Sequence, residues 1–136
     1  MSLKIPAQSP HLDLKLMDGR LAVCRLAPAG EPPFWALRAG GFCSMTRTAD
    51  EWSVVCPEDL VPQSTVCERG WRILQVAGPL DFALTGILDS IARPLAEAGV
   101  SIFAVSTYDT DYVMVKEEHA GQAARVLEAA GHRVQC

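Results

Sequence analysis

The order of hydrophobic periods between residues 71 and 136 restricts this chain more than any other feature. Trp71 to Ala77 (WRILQVA) is a run of strand formers, and Gly78-Pro79 breaks it. From Asp81 to Ala98 the period becomes helical. Leu84, Ile87, Leu88, Ile91 and Leu95 make one apolar stripe, with Asp81, Thr85, Asp89, Arg93 and Glu97 on another face. Pro94 inside the pattern removes one backbone hydrogen bond and should bend the last turn, and Gly99 ends it. Ser101 to Thr107 reads as the next strand, Tyr108 to Asp111 as a turn, and Tyr112 to Lys116 as the returning strand. A second helix, Glu117 to Ala130, opens with carboxylates at its positive dipole end. It buries Ala120, Ala123, Ala124 and Leu127 and closes at Gly131. His132 to Cys136 is long enough for a final short strand. The order is β-α-β-β-α-β. That is the split βαβ, ferredoxin-like arrangement of an α+β fold, an antiparallel sheet with both helices on one face.

The earlier residues follow a different pattern. Leu12, Leu14 and Leu16 alternate with Asp13 and Lys15, as in a half-buried strand. Asp18-Gly19 offers the positive φ angles of a tight type I′ turn, and Leu21 to Leu26 would return as the second arm of a hairpin. The proline-rich stretch 28–33 is a loop. Phe34 to Arg38 reads as another strand, closed by Gly40-Gly41. Thr48 and Glu51 have capping-box spacing, which predicts a short helical turn, and Trp52 to Cys56 is rich in strand formers. Pro57 and Pro62 leave room for a single turn of helix between them. This half has strands but no long helix. The predicted division is a degenerate, β-rich sheet unit over residues 1–65 and the β-α-β-β-α-β unit over 66–136.

Hydrophobic residues make up 49% of the chain, ample for a packed core. The apolar runs, such as Ile102 to Val105, are strand-length and fall short of the roughly 18 residues a membrane span needs. Residues 1–6 lack the apolar core of an export signal, so a cytoplasmic protein is expected. The formal net charge is −4, and Lys and Arg are scattered. Nucleic-acid binding needs a basic footprint, and none is seen.

Five cysteines, Cys24, Cys43, Cys56, Cys67 and Cys136, include no C-x-x-C pair. That argues against a disulfide framework and a zinc knuckle, and Cys24 and Cys56 read as buried small hydrophobes. His11, His119 and His132 lack metal-ligand spacing, and His119 reads as a solvated side chain. There is no G-x-S-x-G elbow, Walker loop or G-x-G-x-x-G, and Gly40-Gly41 is too short to cradle a phosphate. No catalytic residue, metal or cofactor is expected.

Polar chemistry concentrates in two places. Ser106, Thr107, Tyr108, Asp109, Thr110 and Asp111 set four hydroxyls and two carboxylates between two apolar strands. A polar turn bonded to its own backbone accounts for Asp109 and Thr110. It accounts less well for Ser106 and Thr107, which continue a core strand, and for Asp111, which opens one. The second place is residues 78–86, which join the first strand to the first helix. Free N–H groups at a helix start attract carboxylates; the alternative is an ordinary turn with Asp81 as N-cap. Gly86 inside the helix costs about 1 kcal/mol against Ala, which suggests that a neighbour approaches its backbone closely.

At these residues the sequence becomes recognisable. Residues 71–87 (WRILQVAGPLDFALTGI) and 91–111 (IARPLAEAGVSIFAVSTYDTD) resemble the ACT domain family, most closely its CASTOR-like subfamily, shared by short bacterial proteins and the cytosolic arginine sensor of animal cells. Residues 42–55 (FCSMTRTADEWSVV) look like the matching segment of that group. The resemblance implies an ACT domain preceded by a degenerate ACT-like half. It further implies binding of an amino acid or similar small ligand, regulation of an unidentified protein, and a homodimer. By the same resemblance, Gly78, Asp81, Phe82 and Leu84 in the loop and Ser106, Thr107, Tyr108, Thr110 and Asp111 in the turn contact the ligand, within one chain or between two. The arginine sensor has an acidic residue near this helix start. Phe82-Ala83-Leu84 has none, so an apolar or small polar amino acid stands beside arginine as the ligand. An interaction module with a vestigial pocket and a small enzyme using Asp111, Tyr108 or Cys43 are the rival readings.

Overall fold

The computed structural model describes residues 10–80 and 86–136. In chain order the strands are β1 (Asp13–Leu16), β2 (Leu21–Leu26), β3 (Ser44–Arg47), β4 (Trp52–Pro57), β5 (Val66–Val76), β6 (Phe103–Ser106), β7 (Asp111–Lys116) and β8 (Arg133–Gln135). The α-helices are α1 (Ile87–Glu97) and α2 (Ala120–Ala129), and 3-10 turns lie at Phe34–Leu37, Glu58–Leu60 and Glu117–His119. No described helix is long and apolar enough to cross a membrane. The described residues gather into two compact units: those of 10–16 with those of Leu74–Cys136, and Met17–Ile73. The division predicted at 65/66 thus sits elsewhere than this clustering, which takes β1 and the end of β5 into the unit that holds both α-helices.

In that unit the strands run β6-β7-β5-β1-β8. Leu14, Leu16, Leu74, Val76, Val113 and Val115 form one core with Ile87, Ile91 and Leu95 of α1 and Ala120, Ala123 and Leu127 of α2. The alternation of strands and the 3.6 period of helices bring those residues to one side. The order is the ferredoxin-like one with a strand inserted. β1 lies antiparallel to β5, Leu14 opposite Val76, and parallel to β8, Asp13 opposite Arg133. The chain is therefore α+β, with the β-α-β-β-α-β succession read from its periods.

The second helical element differs from its predicted form at its start, where Glu117–His119 is a 3-10 turn, and on its buried face, where Ala120, Ala123 and Leu127 are buried but Ala124 is half-buried. The first differs more. Residues 81–85 lie outside the described residues, and α1 begins at Ile87 with Gly86 before it at φ 77°. A Cβ on Gly86 would meet nothing within 4 Å. The glycine therefore serves a left-handed backbone, not the close approach predicted for a mid-helix position.

Pro94 does lie inside α1, and its effect is specific. Lacking an N–H, it cannot bond the Ser90 carbonyl. His132 Nε2 lies 2.9 Å from that oxygen, while the Leu12 N–H donates to His132 Nδ1 at 3.1 Å. With Nδ1 accepting, the Nε2–H donates to Ser90. His132 is 4% exposed. It ties the residue before β1 to α1, a structural role.

In the other unit β3, β4, β2 and residues 66–71 of β5 pair in that order, with Val54, Cys24, Cys56, Ala22, Ala36 and Val61 in the core. Three predictions fail here. The hairpin between residues 12–16 and 21–26 does not form, because β2 pairs with β4 and β5 while β1 pairs with β5 and β8. Gly19 does take φ 89°, but the Met17 N–H bonds Ile73 O at 2.9 Å and the chain keeps its direction along β5. Phe34–Leu37 is a 3-10 turn, not a strand. Pro32 and Pro33 offer carbonyls and no N–H groups, and the Phe34 and Ala36 amides bond them at 2.8 and 3.1 Å. Thr48 caps no helix. Its Oγ1 accepts the Asp50 and Glu51 amides at 3.1 and 3.2 Å and closes the β3–β4 hairpin. The same hydroxyl-to-backbone bonding serves helix starts and turns alike.

Candidate functional site

The strand-to-helix connection and the β6–β7 turn meet within the chain. Thr110 is 4% exposed, and its Oγ1 donates to the Val76 carbonyl at 2.7 Å, next to the end of β5. The Leu80 N–H donates to the Asp109 carbonyl at 2.7 Å. At Gly78 a Cβ would stand 3.0 Å from Thr110 Cβ and 3.1 Å from the Asp109 oxygen, so only glycine lets the two backbones approach this closely.

The turn is self-braced. The Thr107 N–H and Oγ1 both donate to the Thr110 carbonyl, at 2.9 and 3.1 Å, and the Thr110 N–H reaches Thr107 Oγ1 at 3.4 Å. Ser106 and Asp111 face each other across the β6–β7 ladder. Ser106 is exposed, Asp111 half-buried, and Tyr108 is 80% exposed at the tip. Of the predicted site residues, then, Gly78, Thr107 and Thr110 come together directly, and Ser106, Tyr108 and Asp111 sit around them. Asp81, Phe82 and Leu84 lie outside the described residues. The bonds of Thr107 and Thr110 are those of a structural turn, with Ser106, Tyr108, Asp109 and Asp111 as the polar side chains around it.

Beside Gly78 opens a depression of about 290 Å³, lined by Asp13, Lys15, Gln75, Ala77, Gly78 and Gln135 among others. Sequence reading missed these polar residues because β1, β5 and β8 come together only in the folded sheet. The alternation of Asp13 and Lys15 with buried leucines was the available signal. Among the described residues no group of three or more His, Cys, Asp or Glu could hold a metal ion.

Fold and site together define a ferredoxin-like α+β module whose first strand-to-helix connection rests on the turn between its middle strands. Comparison with known proteins places the chain within that class. The family model for the ACT domain matches residues 66–129, and a second model, described as an N-terminal domain, matches 19–64. The human cytosolic arginine sensor for mTORC1 subunit 1 is 38% identical over 89 residues, 65% of this chain and 26% of the sensor. The chain therefore spans about a quarter of that relative. The crystal structure of protein Atu0741 from Agobacterium tumefaciens matches with TM-score 0.86 and 39% identity over 93% of each chain. An aspartokinase structure, of its alpha and beta subunits, shares the fold at TM-score 0.60 and 16% identity, over 89% of this chain and 98% of that one. The chain belongs to the ACT domain family.

Proposed function

We propose that this protein is a regulatory module that binds an amino acid or a closely similar small molecule, acts without catalysis, and works as a homodimer in the cytosol. The observation that carries this reading is the bond from the Leu80 amide to the Asp109 carbonyl. It holds the connection leading to α1 against the polar turn, so that one small zwitterion can touch both. Gly78, Asp81, Phe82 and Leu84 would serve it from the connection. Ser106, Tyr108 and Asp111 would serve it from the turn, whose backbone Thr107 and Thr110 fix through their own bonds, with Asp111 accepting charge-assisted bonds from the ligand ammonium. Family membership and the arginine-sensing relative support an amino acid. Phe82-Ala83-Leu84, without a carboxylate, sets an apolar or small polar amino acid beside arginine as the ligand. We place the functional boundary near residue 65, where the two matched regions meet, with β1 lent to the ACT unit.

Dimerisation is supported by β6, which pairs only with β7 among the described residues. An open strand edge is a liability unless covered. Occupancy would then alter the dimer's affinity for a regulated protein, which requires the two states to bind that protein differently. A thermal-shift screen against the twenty amino acids tests the reading. A ligand at a hundredfold its Kd stabilises the folded state by about 2.7 kcal/mol, so one or a few amino acids should raise the melting temperature. A flat screen at millimolar ligand would sink the proposal and favour a pure interaction module.

A further inference from the structure

The strongest chemistry outside the candidate site is sulfur. Cys24 and Cys56 are buried in the core of the Met17–Ile73 unit, and Cys43 and Cys67 pack against the same core from half-buried positions. They come from β2, β4, β5 and the residue before β3. Cys24 shares this core with Cys56, and Cys67 packs against it. Register separates these two neighbours. Cys24 and Cys67 are directly opposed on antiparallel β2 and β5. Opposed residues hold their Cα atoms about 4.5–5.5 Å apart, within the roughly 4.4–6.8 Å a disulfide spans. Cys56 opposes Ala22 instead, and is only a diagonal neighbour of Cys24. Diagonal positions lie about 7–8 Å apart, too far for a bridge without backbone movement.

We propose that Cys24 and Cys67 form an oxidisable dithiol site, converted to a cross-strand disulfide by an oxidised low-molecular-weight thiol. Cys67 is the entry point, since it is half-buried where Cys24 is enclosed. Burial pushes the Cys67 thiol up, and the Arg69 guanidinium nearby opposes that rise. The Cys67 thiolate attacks one sulfur of the oxidant, its S–S bond breaks, and the leaving thiolate takes the electron pair and a proton. Cys24 then gives up its proton and attacks the Cys67 sulfur of the mixed disulfide, expelling the second thiol. Two protein thiols are oxidised by two electrons, one oxidant disulfide is reduced to two thiols, and the protons pass to those thiols. The product staples β2 to the first half of β5.

The test uses the full chain with the exposed Cys136 removed as Cys136→Ser. The folded protein is incubated with oxidised glutathione, its free thiols are blocked in denaturant, and it is mapped by mass spectrometry. Cleavage at arginine and after Glu58 separates Cys56 from Cys67. The expected product has lost two hydrogens and links the peptides of Cys24 and Cys67. Cys24→Ser should accumulate one glutathione adduct on Cys67, and Cys67→Ser should abolish the product. A link to Cys56 or Cys43, or an intact protein with all four thiols free under conditions that oxidise a reference dithiol, would overturn the proposal. The map of the parent protein decides this even if a serine variant folds poorly.

Discussion

His132 carries two bonds that would otherwise leave orphans, the Leu12 amide at Nδ1 and the Ser90 carbonyl at Nε2. His132→Leu keeps the bulk and removes both. An unsatisfied buried polar group costs about 1–3 kcal/mol, so urea denaturation should show a loss of about 2–4 kcal/mol. Pro94→Ala restores an N–H to the position facing Ser90. In the His132→Leu background it should recover about 1 kcal/mol more than in the parent, because there the carbonyl has lost its donor; additive effects would show that the two residues do not share Ser90. At the candidate site the separation is between fold and binding. Thr110→Val breaks the bond to the Val76 carbonyl and should lower stability by about 1–2 kcal/mol. Asp111→Ala should leave the melting temperature nearly unchanged and weaken ligand binding by about 1.5–3 kcal/mol, the size of a hydrogen bond to a charged group. Calorimetry with an amino acid identified by the screen measures this, and unchanged affinity with a large stability loss would make Asp111 a turn residue.

Elements with a strong local signal were legible in the sequence. The helical stripe of Ile87, Leu88, Ile91 and Leu95 and the apolar runs on either side of the Ser106–Asp111 turn were read before any partner was known. That the turn and the connection after β5 serve one ligand came only from the family resemblance, which left open whether they meet within one chain or between two. What failed was partner choice and backbone sign, neither of which a local pattern fixes. Leu12, Leu14 and Leu16 announced a strand, but nothing in them says that its neighbours are residues 74–76 and 133–135. Thr48 announced a cap, which a hairpin can use as well as a helix. Gly86 separates the two accounts of α1 by the sign of one substitution. Within a helix, Gly86→Ala would stabilise by about 1 kcal/mol. At φ 77° it should destabilise by about 1–2 kcal/mol, with Gly86→Asn losing less, as chemical denaturation would report.

For the whole molecule, the testable quantity is mass. Light scattering at high micromolar concentration should give twice the chain mass of 14.7 kDa, and a monomer there would remove the dimer from the proposal. The position of β1 has a consequence in time. Its parallel neighbour β8 is supplied by Arg133–Gln135, and the imidazole that receives the Leu12 amide is 120 residues further along the chain. A nascent chain emerges from its N-terminus onward, so β1 leaves the ribosome long before β8, the later of its two neighbours, has been made. Pairings this distant in sequence form late and slowly. During synthesis β1 can therefore meet β5 early, but its other edge stays open until Arg133–Gln135 has been made.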